Sequence, residues 1–175
     1  MKRDFPDWIG NAIIKACYRY VLTRTWDPTL PKLGFIMLNP SKATALHNDP
    51  TIIRCMMRAY LMGYGGIIVV NLFAYRSTDR HVLKTLGYNE AVGPENDLYL
   101  VSELIKCKMV IAGWGNDGGL FERDLKVKQQ LQQAGIVLHA LKISKDGNPY
   151  HPLYMSYKRK PIEFLPFRKA PHHGR

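Results

Sequence analysis

Four groups of polar residues follow apolar runs in this chain, and their side chains are suited to acid–base chemistry on a bound ligand. They begin at Asn39 after GFIML, at Asn71 after IIVV, at Trp114 after MVIAG, and at His151 in the loop after IVLHALKI. Amide and imidazole groups both donate and accept hydrogen bonds, and Asp49 adds a carboxylate that can accept a proton. A lone asparagine after a strand is most often a turn residue, so the prediction depends on the four groups together.

Strands and helices that alternate along the chain would bring these groups to one place. Strands are predicted at 18–26, 34–38, 67–75, 108–115 and 136–143, and helices at 50–62, 93–107 and 120–135. This alternation is typical of an α/β protein with a mostly parallel central sheet. Since ligands bind beyond the carboxyl ends of the strands in such sheets, all four groups are expected to face one crevice.

The first predicted strand, at 18–26, alternates only in part. The alternation places Tyr18, Tyr20 and Leu22 on one face and Arg19, Val21 and Thr23 on the other. The turn sequence DPTLPKL follows and leads into the next strand. The two strands are therefore expected to pair as a hairpin at an edge of the sheet.

Composition favours a single cytoplasmic domain that works without a metal or cofactor. The 175 residues suit one domain, and 46% hydrophobic content is too high for a disordered chain. No apolar run is long enough to span a bilayer, and the N-terminus has no segment of signal-peptide type. Three widely spaced cysteines, with no ligand spacing to the six histidines, argue against disulfides and against a metal site.

The strong positive charge of the chain points to a polyanionic partner. Its formal net charge is +11, which creates a long-range field that attracts nucleic acid. The basic C-terminal tail over 156–175 contributes a net +5 and is suited to contact a phosphate backbone. A basic protein with a merely solvated tail remains the alternative.

The order of the motifs resembles the uracil-DNA glycosylase superfamily, especially its mismatch-specific uracil/thymine branch. The resemblance runs over residues 34–155 and is carried by the segments MLNPSKATA, VVNLFAYRSTD, VIAGWG and YHPLYM. More closely, the string LNPS…DPT…NLFAYR…GPEND…HPLY resembles a bacterial and phage family catalogued as a domain of unknown function. The superfamily resemblance implies a three-layer α/β/α fold and a monofunctional DNA glycosylase, which hydrolyses the N-glycosidic bond of a base flipped out of double-stranded DNA.

The resemblance also implies roles for the residues that would carry the hydrolysis. Asn39 matches the residue that handles the water, although Asp49 is the better general base because a carboxylate accepts a proton more readily than an amide. Asp49 is equally suited to cap the helix that begins at Pro50, and the two roles are compatible. His151 matches the histidine that stabilises the departing base.

Other residues are candidates for binding the base and the DNA. Asn71 matches the residue that reads the Watson–Crick edge, and its alternative role is that of a turn residue at a strand end. The other base-binding candidates are Phe73, Tyr75, Trp114 and Asn116, of which Phe73 is also well suited to the core. The DNA-binding candidates are Ser41, Arg54, Arg76, Lys145, Leu153 and Tyr154, where Leu153 and Tyr154 resemble a wedge that fills the hole left by a flipped base.

The chain departs from the superfamily in ways that affect the expected substrate. It lacks the Gly-Gln-Asp-Pro-Tyr-His string of the best-known uracil enzymes and also lacks a set of iron–sulfur cysteines. The expected substrate is therefore a modified pyrimidine rather than uracil, and the expected role is defence against phage with modified genomes, carried out by a monomer. The alternatives are a protein that binds or processes nucleotides or nucleosides, and an inactive DNA-binding module on the same fold.

Overall fold

The structure, a computed structural model, describes residues 5–164 as a seven-stranded mixed sheet with helices on both faces. The strands are β1 (Ile9–Lys15), β2 (Tyr18–Thr25), β3 (Lys32–Met37), β4 (Gly66–Asn71), β5 (Met109–Ala112), β6 (Leu138–Ala140) and β7 (Ile162–Glu163). The helices are α1 (Pro50–Leu61), α2 (Tyr88–Val92), α3 (Asn96–Leu104) and α4 (Arg123–Gln133), with 3₁₀ segments at Arg80–Thr85, Asn116–Glu122 and Pro152–Tyr154. The predicted α/β class is confirmed.

The sheet has the strand order β1-β2-β4-β3-β5-β6-β7 and is parallel only in its centre. Strands β4, β3, β5 and β6 run parallel, whereas β1, β2 and β7 pair antiparallel with their neighbours. The sheet is therefore mixed rather than mostly parallel. The predicted hairpin of β2 with β3 is wrong, because the β3-α1-β4 crossover places β4 between them.

The two faces of the sheet are covered by different helices, and each face has its own hydrophobic core. On β4, Ile67 and Val69 pack on the face that α1 covers, while Ile68 and Val70 pack on the face that α3 and α4 cover. All six residues of β4 are buried, as expected for a central strand enclosed on both faces. The central strands are thus held rigidly, and their carboxyl ends provide a fixed platform.

Strand β2 contains a β-bulge at Tyr20. Val21 pairs with Ile13 and Arg19 pairs with Ile14, so Tyr20 has no partner on β1. Tyr20 and Val21 consequently both pack on the α3 face, whereas Leu22 packs on the α1 face. The predicted alternation is wrong at this point, because an extra residue in a strand reverses the facing of everything beyond it.

Helix α1 begins and ends as its sequence indicates. The Asp49 carboxylate accepts a hydrogen bond from the Ile52 backbone N–H at 2.9 Å, and Pro50 occupies the first turn. Gly63, with a φ of 81°, follows its last turn. None of the described helices combines the length and apolar character needed to cross a membrane.

Candidate functional site

A crevice of about 520 Å³ opens at the carboxyl ends of β3, β4 and β5, on the α1 side of the sheet. It brings together seven of the residues predicted to form a site, which are Asn39, Ser41, Asp49, Asn71, Trp114, His151 and Tyr154. Each of the four predicted groups contributes at least one of them. The expectation that the four groups share one crevice agrees with this geometry.

Asn71 contributes a buried side-chain amide that forms no hydrogen bond with the described residues. The side chain is 1% exposed, and neither its Nδ2 nor its Oδ1 has a partner. Leaving a buried polar atom without a partner costs about 1–3 kcal/mol, so native structures rarely tolerate it. A buried donor and acceptor on one amide, at the wall of a crevice, indicate a group kept for a ligand.

The backbone around Asn71 is fixed from the opposite face by residues of α3 and α4. The Asn96 amide donates to the carbonyls of Asn71 and Leu72, both at 3.0 Å, and Arg123 Nε donates to Leu72 O at 2.8 Å. Arg123 is fully buried and forms an ion pair with Asp97. Burial acts to raise the pKa of Asp97, but the hydrogen bond and charge of Arg123 outweigh it and hold that pKa below its usual value. The GPEND segment thus positions Asn71 without touching the crevice.

Asp49 combines a structural role with a free acceptor. Its Oδ1 caps α1, while its Oδ2 accepts no hydrogen bond from residues 5–164. The side chain is half-buried at the wall of the crevice, and its negative charge raises the pKa values of His151 and Arg19 against the effect of burial. Capping therefore leaves one carboxylate oxygen to take a proton or face a positive charge.

His151 faces the crevice with a defined ring tautomer. Its Nδ1 accepts a hydrogen bond from the Leu153 backbone N–H at 3.3 Å, so the neutral ring carries its hydrogen on Nε2. Burial lowers the pKa of His151, and the charge of Asp49 only partly opposes this shift. The ring is therefore neutral at pH 7 and offers an Nε2–H donor.

The position of His151 depends on close packing beneath the next residue. Pro152 is buried against Gly113, where a methyl group in place of the glycine hydrogen would lie 2.6 Å from Pro152 Cδ and 3.2 Å from Met37 Sδ. Only glycine fits there without a shift of the loop. The AGWG segment thus contributes to the site through its first glycine as well as through Trp114.

Asn39 is held by one end of its amide and leaves the other end free. Its Nδ2 donates to Ser77 O at 3.0 Å and to Pro40 O at 3.3 Å, and the Ser77 N–H donates back to Pro40 O at 2.9 Å. Its Oδ1 accepts no hydrogen bond from the described part of the chain. Asn39 is thus oriented to accept a hydrogen bond from a water or a ligand.

The other predicted residues lie away from the crevice. Phe73 is fully buried in the core on the α3 face, Tyr75 packs against the same core, and Asn116 and Lys145 are exposed. Leu153 is half-buried in the 3₁₀ segment beside Tyr154, which is 77% exposed at the rim.

The guanidinium groups of the two predicted DNA-binding arginines differ in the contacts that they already make within the protein. Arg54 donates to Met155 O at 2.6 Å and stacks over the Tyr157 ring at 3.8 Å. Arg76 lies in a second hollow of about 350 Å³, which we call the rim hollow. Its walls are formed by Cys17, Ser41, Lys42, Arg76, Ser77 and Thr78, and three of these also line the crevice.

Comparison with known proteins assigns the chain to a family. A family model described as "Protein of unknown function (DUF1643)" matches residues 19–153, which is 135 of the 175 residues. The chain belongs to the DUF1643 family. Searches of curated proteins and of solved structures found no match. The DUF1643 match includes the crevice residues from Arg19 on β2 to His151, and Tyr154 at the rim lies just beyond it.

Sequence reasoning missed one residue of the DUF1643 crevice that the structure makes prominent. Arg19 lines the crevice although it is only 2% exposed, and its Nη1 donates to Ala43 O at 2.7 Å. Strand alternation predicts that it faces the same way as Val21, and the bulge at Tyr20 turns it to the α1 face instead. No local signal in the sequence predicts a bulge at this position.

A second buried arginine, Arg24, holds the loop between β3 and α1. It donates to the carbonyls of Thr44 and His47 at 2.5 and 3.2 Å and to Asn48 Oδ1 at 2.8 Å. The loop ends at Asp49, but the position of that carboxylate is set by its own hydrogen bond with the first turn of α1. Unlike Arg19, Arg24 does not line the crevice.

Proposed function

We propose that the protein is a DNA glycosylase, which hydrolyses the N-glycosidic bond of a modified pyrimidine flipped into the crevice. The observation that carries the proposal is the buried Asn71 amide, whose donor and acceptor both lack partners among residues 5–164, at a wall shared with Asp49 and His151. Helices on both faces of the sheet and a crevice at its carboxyl edge are features that the proposed relationship to the three-layer uracil-DNA glycosylase superfamily requires.

Asn71 would recognise the base through its amide. The Watson–Crick edge of a pyrimidine presents a donor next to an acceptor, and an amide can pair with both. Because both Asn71 atoms are shielded from water, a ligand reaches them only when a neighbouring side chain moves aside. Trp114 also lines this crevice, although its ring is almost fully buried in the core on the α3 face.

Asp49 and Asn39 would place and activate the water. Cleavage of the bond develops positive charge on the sugar, which the free oxygen of the half-buried Asp49 carboxylate can balance while it accepts a proton from the water. The free Oδ1 of Asn39 can accept the second hydrogen of that water. The structure thus supports complementary roles for the two residues that the sequence offered as alternatives.

His151 would stabilise the departing base. The pyrimidine leaves as an anion with negative charge on its exocyclic carbonyl oxygens, and the neutral imidazole presents an Nε2–H donor to the crevice. A neutral donor suits this role, because it strengthens its hydrogen bond as the charge develops and need not lose a proton to do so. Its lowered pKa keeps it in this form at neutral pH.

The surroundings of the crevice suit DNA as the carrier of the base. Tyr154 projects at the rim, where an exposed aromatic ring can enter the stack vacated by a flipped base. The rim hollow adds the positive charges of Lys42 and Arg76 for the phosphate backbone. The predicted basic tail falls outside the described residues from position 165 onward. The proposed enzyme acts as a monomer in the cytoplasm.

The decisive experiment is incubation of the purified protein with DNAs that carry different modified pyrimidines. Released base and alkali-labile strand breaks are measured for wild type, Asp49→Asn, Asn39→Ala and the control Asn89→Ala, an exposed asparagine of α2. Asp49→Asn keeps the helix cap and loses the proton acceptor, so base release should fall by about 100-fold or more.

Two outcomes would contradict the proposal. Duplex binding without base release from any DNA, by a folded wild type, would favour the inactive DNA-binding module. Equal cleavage of free nucleosides and of DNA would instead favour a nucleoside-processing enzyme, because the rim hollow and Tyr154 would then contribute nothing.

A further inference from the structure

Arg19 is a buried cation with no carboxylate partner among the described residues. Within the described part of the chain its guanidinium is held by one hydrogen bond, from Nη1 to Ala43 O, and its buried Nε has no partner there. Asp49 influences it only through space, and no ion pair joins the two side chains within residues 5–164. A buried charge without a partner is strongly unfavourable, so its presence at a crevice calls for an explanation.

The charge of Arg19 persists in this environment. Burial lowers its pKa to about 10, against the opposing effect of Asp49, so the guanidinium stays protonated at neutral pH. The bulge at Tyr20 is what brings this charge to the crevice, because regular alternation would direct it to the other face of the sheet. Bulges that re-aim a side chain are common next to functional sites.

We infer that Arg19 forms an oxyanion-binding subsite in the crevice whose wall also carries the amide of Asn71. Arg19 and Asn71 lie on adjacent antiparallel strands, and both line the α1 side of the sheet. A ligand oxyanion would supply the missing partner of the guanidinium and would offset the cost of its burial. This inference rests on the proposed function, in which the ligand is a nucleotide whose base enters the crevice.

Two parts of such a substrate carry oxyanions, namely an acidic group on the modified base and a phosphate. The rim hollow already offers Lys42 and Arg76 to phosphates at the surface. Arg19, which is almost fully buried, meets the part of the ligand that enters deepest. That part is the base when the nucleotide belongs to a DNA strand, so the geometry favours a pyrimidine with an acidic substituent.

The test is a binding measurement, which does not require base release. Calorimetry measures the affinities of uracil, 5-carboxyuracil and inorganic phosphate for wild type, Arg19→Gln, Arg19→Lys and Arg24→Gln. The wild type should bind at least one of the two anions more tightly than uracil. Arg19→Gln should lower the affinity for that anion by about 10- to 100-fold. Arg19→Lys keeps the charge and should retain part of the affinity.

Arg24→Gln is the matched control. Arg24 lies on the same strand and holds the same loop through buried hydrogen bonds, but it does not line the crevice. Its loss should lower stability and leave the relative affinities for the anions and uracil unchanged. Preference for 5-carboxyuracil identifies the base as the source of the oxyanion, and preference for phosphate identifies the phosphate.

A direct readout keeps the inference testable where Arg19→Gln does not fold. The Nε–Hε resonance of Arg19, assigned from its absence in Arg19→Lys, should shift when the wild type is saturated with the preferred anion. An unmoved resonance, or equal affinities of wild type for uracil and both anions, would overturn the inference. The proposed glycosylase activity is tested separately, because it is contradicted by the absence of base release from DNA.

Discussion

The Asn71 amide, which forms no hydrogen bond with the described residues, leads to an unusual prediction about the free energy of unfolding. Replacing it with leucine, which has a similar shape, should stabilise the protein while it removes ligand binding. The reason is that both amide atoms of Asn71 are buried and form no hydrogen bond with residues 5–164, whereas most buried polar groups lose hydrogen bonds when they are replaced. Met37, Val69 and Ile52, which also line the crevice on the α1 side of the sheet, supply apolar surroundings for a leucine side chain.

The magnitude follows from the two atoms involved. Removing one buried, unpaired polar atom relieves about 1–3 kcal/mol, and imperfect packing of a branched side chain takes back up to ~1.5 kcal/mol. Two such atoms together relieve about 2–6 kcal/mol, so a net gain of about 0.5–6 kcal/mol is expected for Asn71→Leu. For a chain of this length each kcal/mol raises the unfolding midpoint by about 2–4 °C.

Asn96 provides the matched control for this measurement. It is also a fully buried asparagine beside the end of β4, but its Nδ2 donates to two backbone carbonyls. Asn96→Leu should lower the free energy of unfolding by about 1–3 kcal/mol, because the carbonyls of Asn71 and Leu72 lose donors, and removal of Asn96 Oδ1, which accepts no hydrogen bond from the described residues, offsets only part of that loss. Urea denaturation of wild type and both variants measures the two effects in one experiment.

Opposite changes in the free energy of unfolding for Asn71→Leu and Asn96→Leu would support the assignment of Asn71 to ligand recognition. If Asn71→Leu destabilised the protein as much as Asn96→Leu, the amide of Asn71 would have to be structural. Its place at the crevice would then be incidental, and the reasoning behind the proposed function would fail at its central observation.

Two further predictions concern the loop that carries His151. Gly113→Ala must push Pro152 outward by about 0.8 Å, from a 2.6 Å contact to an ordinary one, which should lower stability by about 1–3 kcal/mol and base release by up to ~100-fold. Gly119→Ala, where a methyl group meets nothing within 4 Å, is the control in urea denaturation and in the release assay. Equal behaviour of the two variants would refute the packing argument. Because burial depresses the pKa of His151 below its unfolded value of about 6.5, the unfolded chain binds the extra proton and stability should fall as the pH drops below that value. His151→Gln should flatten this fall in urea titrations between pH 7 and 5, and an unchanged slope would show that the ring is not buried as a neutral group.

Much of the site was predictable because the signals are local. An apolar run that stops at a polar residue marks a strand end, and Asp49-Pro50 marks a helix start, whatever the rest of the chain does. Parallel strands connected by helices necessarily bring their carboxyl ends to one edge. These rules are enough to place Asn39, Asn71 and His151 in one crevice before any coordinates are known.

The pairing at the edges of the sheet was not predictable in the same way. Strand β2 lies closest in sequence to β1 and β3, yet it pairs with β1 and with β4, whose nearest residue is some forty positions further along the chain. The choice depends on which faces the helices cover, and no short window of sequence contains that information. The same limit explains why Arg54 was predicted to contact DNA although Met155 and Tyr157 occupy its guanidinium.

The sequence by itself determined which polar groups stand at strand ends, where α1 begins and that the chain carries a large positive charge. Only the tertiary structure decided that the side chain of Asn71 forms no hydrogen bond with the other described residues and that Arg19 shares its crevice. The physical reason is that hydrogen-bond satisfaction depends on neighbours far apart in the chain. The facing of Arg19 depends on one extra residue in β2, because a bulge at Tyr20 reverses the alternation that the sequence displays.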